Sequence, residues 1–218
     1  MYDETFLDFV TEFDELLDIY KSGVKQIVTF LEIMNVEFKH TQNHKPIESI
    51  QYRIKSSKSI KKKLIKKNLS FDMNSITKLK DIAGIRIICP FISDVYNLAQ
   101  IICMQDNIEL ITMKDYIERP KPNGYRSLHL IVKNNIQLAN QTKMVIVEIQ
   151  IRTVGMDSWA SLEHQLCYKN SHKITQDILD ELRYCADEIA DFDIRMQKIA
   201  NRLSMNQIGM NNVFDNKI

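Results

Sequence analysis

The chain predicts an α/β (α+β) fold: a mixed β-sheet of about four to five strands flanked by helices, with long N- and C-terminal helices. Two observations carry this. Apolar residues recur at steps of three and four near both ends, and the middle switches to β-rich runs with partial period-two alternation. Gly and Pro number only 5 and 4, so turns are few and the helices are long.

From the N-terminus, Phe6, Phe9, Phe13, Leu16, Tyr20, Val24, Ile27, Leu31 and Met34 form the stripe of an amphipathic helix of about nine turns. The polar stretch from His40 to Pro46 ends it. Ser56 to Lys67 is helical by propensity, and Asp72-Met73-Asn74-Ser75 offers a cap for one further short turn. Ile85-Arg86-Ile87-Ile88-Cys89 is a strand stopped by Pro90, and Ser93 to Met104 reads as a helix. Strands follow at about Ile108–Ile117, Ser127–Ile136 and Lys143–Ile151. Two helices close the chain; the second carries Ile178, Leu182, Cys185, Ile189, Phe192, Met196, Ile199 and Leu203 in a heptad-like stripe. The polar segment from Asn211 to Asn216 reads as a frayed tail. Residues 1–40 are thus an N-terminal helical arm, 41–172 a central domain, and 173–218 a C-terminal helix and tail.

Composition sets bounds on partners. The 218 residues are 44% hydrophobic and 26% charged, enough apolar material for a sizeable core. A net charge of +1 excludes bulk electrostatic attraction to nucleic acid or anionic membrane, so any anion affinity is local. No apolar run approaches the ~20 residues of a membrane span. Cys89, Cys103, Cys167 and Cys185 form no metal-ligand spacing and read as buried free thiols, pointing to a soluble cytoplasmic protein.

Four segments carry chemistry. Arg53 to Lys67 holds eight basic residues in fifteen positions and no acid. On a helix, Lys55, Ser59, Lys63 (or Lys62) and Lys66 share a face that suits a polyphosphate. A solvated charge run and a nucleic-acid face are the competing readings, the latter short of stacking aromatics. Asp81-Ile-Ala-Gly84-Ile-Arg86 sets an acid just before a buried strand, with glycine for close approach, where it can serve a metal or simply a turn. Glu148, inside an apolar strand, shares a face with Gln150 and Arg152 by period two. Its charge is costly to bury without a metal or an ion pair, Arg86 and Arg152 being the available partners. Asp115 to His129 is a long cationic loop with Tyr125 as an aromatic face and Lys114 and Lys121 beside it.

Two basic elements suit two phosphate-bearing ligands, and Asp81 and Glu148 can share Mg²⁺ or divide metal binding from base work. Walker A and dinucleotide glycine motifs are missing from the sequence. Phosphoryl or pyrophosphoryl transfer between nucleotides on a nucleotidyltransferase-like sheet uses every feature.

Arg53-Ile-Lys55-Ser, Asp81-Ile-Ala-Gly-Ile-Arg86, Asn123-Gly-Tyr125-Arg-Ser-Leu-His129, Val147-Glu148-Ile-Gln150-Ile-Arg152-Thr and Trp159-Ala-Ser-Leu-Glu163-His164, in this order, resemble the synthetase domain of the RelA/SpoT family. That family makes the alarmones ppGpp and pppGpp. The resemblance covers about residues 45–170, and no His-Asp dipeptide of a hydrolase occurs. It implies a small alarmone synthetase of the RelQ type, moving the β,γ-pyrophosphate of ATP to the 3′-OH of GDP or GTP and releasing AMP. Arg53 and Arg86 would sandwich adenine, while Lys55, Ser59, Lys63 and Lys66 hold the ATP phosphates. Asp81 would bind Mg²⁺, with Glu148 as base, sharing the metal. Tyr125 would stack on guanine, with Lys114, Lys121, His129 and Gln150 near the acceptor.

The resemblance also implies a homotetramer with a cleft for an alarmone activator, and leaves regulatory RNA as a partner. Here Ser49 stands where an aromatic is expected, and Asp157 replaces an asparagine. An acid facing an anionic activator repels it, so stimulation is expected to be weak or absent. Toxic relatives that make adenosine alarmones or pyrophosphorylate tRNA, and a silent nucleotide- or RNA-binding module, are the alternatives.

Overall fold

The computed structural model describes residues 4–170 and 174–214, with side chains described for 9–167, 170 and 174–203. Helix α1 (Glu4–Gln42) leads to strand β1 (Ser49–Ile54), helix α2 (Ser57–Lys66) and the short α3 (Met73–Thr77). Strand β2 (Ala83–Cys89), helix α4 (Ile92–Cys103), strands β3 (Ile108–Asp115), β4 (Leu128–Gln137) and β5 (Thr142–Thr153), and helices α5 (Val154–Lys169) and α6 (Gln176–Phe214) follow.

One five-stranded sheet runs in the order β1-β2-β5-β4-β3. β2 and β5 are parallel, joined across α4, β3 and β4; the other neighbours are antiparallel. The alternation in β5 does what its sequence requires. Val145, Val147, Ile149 and Ile151 enter the core, and Glu148 and Gln150 emerge on the other face. The α1 stripe from Phe13 to Met34 and the α4 residues Val95, Leu98, Ala99 and Ile102 fill the same core cluster. Gly23 lets α1 approach the sheet closely, because a Cβ there would lie 2.5 Å from Val145 Cγ2. Asn134 of β4 donates to the Gly23 carbonyl at 3.0 Å at this crossing.

Caps explain the short helices. The Ser56 side chain accepts from Ser59 N and starts α2, and Asp72 accepts from Ser75 N at 2.8 Å to start α3. Lys55 therefore precedes the helix rather than sharing its face, as the sequence spacing suggested.

Four expectations change. The sequence reading contains no strand at β1; all six of its residues are exposed or half-buried, so this edge strand shows no alternation. Of the thiols only Cys89 is buried, Cys103 and Cys167 are half-buried, and Cys185 is exposed. The segment read as a tail is helical as far as Phe214, with residues 215–218 outside the described set. The α6 stripe is mostly open to solvent: Phe192 is 56% exposed and Ile199 48%. The face of α6 that meets the domain is largely small and polar, with Ile189 of the stripe set against Gly155. Ala186 and Asp193 are buried there, Asp193 accepts from Thr153, and Gln197 accepts from the Ser93 backbone. Among the described residues no helix is long and apolar enough to cross a membrane.

Candidate active site

The strand register assembles the site in rows. Arg53, Gly84 and Glu148 lie side by side on β1, β2 and β5. The next row toward the C-terminal end of β2 and β5 spans all five strands: Gln51, Arg86, Gln150, His129 and Lys114. Residues more than sixty positions apart thus share one face. Above them opens a cavity of about 620 Å³, lined by Arg53, Arg86, Arg152, Tyr125, Glu148 and Gln150 with the Ala160–Gln165 stretch of α5. Gly84 forms its floor. A Cβ there would meet nothing nearer than 3.9 Å, so this glycine keeps the floor open rather than serving the close backbone approach expected of it.

Glu148 meets neither arginine that the sequence offered as a partner. Gln150 Nε2 donates to its Oε2 at 3.1 Å, and His129 Nδ1 lies 3.8 Å from its Oε1. Arg152 and Arg86 turn to Asp157, at 3.0 and 3.5 Å. The charge of Asp157, expected to repel an activator, is therefore already taken up by two guanidinium groups. That removes the physical reason given for weak stimulation.

The loop between β3 and β4 is built to present Tyr125. Asp115 accepts from the backbone N–H of Ile117 and Glu118, and Gly124 turns the chain at φ +89. Arg126 ties the turn to α6 through the Ala186 carbonyl and Asp187, at 3.1 and 2.8 Å. Lys121 Nζ sits 4.4 Å from the Tyr125 ring centroid, and Arg152 stacks at 5.0 Å. Tyr125 therefore already binds cations on its ring. His129 is packed beneath; burial first, then Lys121, Arg152 and Lys114, push its pKa down to about 4.

A second cluster lies beside the cavity, outside its lining. Lys55 and Lys63 both donate to Asp81 Oδ2. Burial raises the Asp81 pKa, but these two hydrogen bonds and charges outweigh it and hold the carboxyl below its ordinary value. Lys55 is lowered, chiefly by burial, with Asp81 opposing. Ser59 pairs with Ser56 at 3.0 Å, and Lys66 is exposed at the end of α2. The expected set thus divides. Arg53, Arg86, Tyr125, Gln150 and Glu148 meet around the cavity with His129, Lys114 and Lys121 adjoining, while Asp81, Lys55 and Lys63 form their own knot.

The donor chemistry bears on a divalent metal. Asp81 Oδ1 is buried with no hydrogen-bond partner, an acceptor left over for a cation. No group of three or more His, Cys, Asp or Glu able to hold a metal occurs among the described residues. A Mg²⁺-like ion needs only one or two carboxylates when substrate phosphates complete its sphere. These residues fit an ion that arrives with a polyphosphate, not a caged resident metal.

Sequence reasoning set Asp157 against an activator rather than in this site, and gave Glu163 and His164 a place in a motif but no role. Glu163 and His164 line the cavity at i, i+3 and i+4 from Ala160, and Asn123 donates to Glu163 at 3.2 Å. That helical spacing after β5 was the available signal.

Residues 52–173 match the model of the region found in RelA/SpoT proteins. The GTP pyrophosphokinase YwaC of Bacillus subtilis is 42% identical over 180 residues, covering 82% of this chain and 85% of that protein. The crystal structure of small alarmone synthetase 2 from Bacillus subtilis superposes with a TM-score of 0.79 at 39% identity, covering 88% of this chain and 99% of that one. Small alarmone synthetase 1 from the same organism, solved with its product pppGpp, gives a TM-score of 0.78 at 30% identity and covers 89% and 99%.

Proposed function

Because this chain belongs to the RelA/SpoT family, we propose that it is a GTP/GDP 3′-pyrophosphokinase that makes (p)ppGpp. The 3′-oxygen of the guanine nucleotide attacks the β-phosphorus of ATP, the bond from that phosphorus to the α-phosphate oxygen breaks, and AMP leaves with the bond's electrons. The acceptor's proton goes to Glu148.

The observation that supports this most is the state of Glu148. It is a carboxylate in a cavity lined by three arginines, Arg53, Arg86 and Arg152, yet it is ion-paired with none of them among the described contacts. Asp157 occupies Arg86 and Arg152, so the Glu148 carboxyl stays available to act as the base. Arg53 and Arg86 offer guanidinium planes to adenine, and Tyr125 offers its ring to guanine, displacing Lys121 toward the acceptor phosphates. In this reading Lys55, Lys63, Ser59 and Lys66 would hold the ATP phosphates, with Gln150 and Lys114 serving the acceptor. Alignment and fixed cations are the main sources of acceleration in such transfers. Asp81 and Glu148 would hold Mg²⁺ together with the ATP phosphates, and the ion would neutralise phosphate charge. The exposed α6 stripe supports a homo-oligomer, a tetramer on the family pattern, working in the cytoplasm.

The test is transfer from labelled ATP to GMP, GDP, GTP, ADP and deacylated tRNA in parallel. Label in the guanine nucleotides with release of AMP is the expected result. Label confined to ADP or tRNA refutes the acceptor assignment, and transfer to none refutes the enzyme.

A further inference from the structure

Arg152 is 4% exposed, and the roles given above to the acceptor face leave it unexplained. Its guanidinium donates to Asp157 at 3.0 Å, to Gln150 Oε1 at 2.9 Å and to the Tyr125 hydroxyl at 2.6 Å. The Tyr125 hydroxyl in turn lies 2.8 Å from His129 Nε2. His129 Nδ1 lies 3.8 Å from Glu148 Oε1, and Gln150 donates to Glu148 Oε2. Arg152, Tyr125, His129, Glu148 and Gln150 thus close a ring of polar contacts, with the reacting carboxylate opposite the arginine.

Hydrogen-bond valence gives the ring a direction. A guanidinium has no acceptor, so the Tyr125 oxygen accepts from Arg152, which leaves its O–H free to donate to His129 Nε2. That nitrogen is then the unprotonated one of the neutral ring, and Nδ1 carries the hydrogen. The other tautomer would turn a lone pair on Nδ1 toward the Glu148 carboxylate, which is electrostatically unfavourable. We propose that Arg152 and the Tyr125 hydroxyl are positioning residues that hold His129 as its Nδ1–H tautomer, so that the ring donates toward Glu148 and fixes the carboxylate for the acceptor hydroxyl. The inference rests on Glu148 acting as the base, as read above. At 3.8 Å the last contact is long, as such contacts are before substrate binds. The ring of Tyr125 and its hydroxyl then have separate duties: one stacks, the other sets a tautomer.

Tyr125→Phe separates them, since it keeps the ring, deletes the hydroxyl and leaves Arg152 bonded to Asp157 and Gln150. The full chain with isotope-labelled histidine is examined by long-range proton–nitrogen correlation NMR without nucleotides, the His129 signals being assigned by their loss in His129→Gln. The expected wild-type pattern is a protonated Nδ1 and a bare Nε2. In Tyr125→Phe the other tautomer gains population, kcat falls roughly tenfold and the acceptor KM stays within about twofold. A wild-type Nε2–H tautomer overturns the proposal. So does a Tyr125→Phe protein in which the tautomer changes without kcat, or kcat without the tautomer. The spectrum requires no turnover, so a failure of the pyrophosphokinase reading would show in the wild-type assay alone and leave the tautomer result standing.

Discussion

Asp81→Asn removes one charge from a knot of three. The side chains of Lys55, Asp81 and Lys63 are 14%, 18% and 34% exposed, so the first pair is largely shielded and the second reaches water. A charge-assisted hydrogen bond contributes about 1.5–3 kcal/mol when its partners are withdrawn from solvent. Counting the Lys55 bond in full and discounting the Lys63 bond by roughly half for screening leaves about 2–4.5 kcal/mol at stake. Asparagine still accepts one hydrogen bond but leaves two ammonium groups facing each other, and Lys63 can swing outward. The expected loss is therefore about 2–3 kcal/mol, or roughly 4–12 °C in Tm for a chain of this size. Urea unfolding of the nucleotide-free protein at neutral pH measures it. The pH dependence has a definite sign. The folded Asp81 pKa is depressed, so its stabilisation is present above the ordinary carboxyl value of 3.8 and is lost as pH falls below it toward the folded value. Wild type and Asp81→Asn should converge as the pH drops through that window. A neutral-pH difference under about 1 kcal/mol, or a gap that persists in acid, would refute the clamp.

Gly124→Ala places a methyl group 2.7 Å from Ala186 Cβ at a positive φ, so it should cost about 2–4 kcal/mol in thermal or urea unfolding. Tyr125→Ala removes a stacking surface worth about 1–3 kcal/mol; the acceptor KM should rise roughly 5- to 150-fold, and a rise confined to the ATP KM would reverse the two site assignments. Phe192→Asp, on the exposed α6 stripe, should change monomer stability by less than about 0.5 kcal/mol while lowering the mass measured by light scattering. An unchanged mass would take this stripe out of the assembly.

The fold was most legible where one physical demand ruled a segment. The α1 stripe and the apolar positions of β5 declare themselves because each buries one face only. β1 stayed hidden because an edge strand with both faces largely wet has no alternation to read. The α6 stripe was visible, but periodicity cannot say whether a domain or a second chain covers it; here the domain is met by Ala186, Asp193 and Gln197 instead. In the site, Glu148 and Arg86 stood out as charges inside apolar strands. The place of Asp157, Glu163 and His164 in the site did not, because polar residues on a helix such as α5 look like a solvent face until the register brings β2 and β5 beneath them. That Arg86 and Arg152 prefer Asp157 to Glu148 is a matter of three-dimensional competition, which spacing along the chain does not encode.

The most direct test of the account is single-turnover transfer of pyrophosphate from ATP to GTP by Glu148→Gln, with both nucleotide affinities measured on the same protein. Glutamine keeps the shape and the hydrogen-bond reach of the side chain but cannot take the acceptor's proton. The account predicts a loss of about 100-fold or more in the transfer rate, with affinities within a few-fold of wild type. Transfer within about tenfold of wild type would contradict it, because the proton would then be leaving by another route.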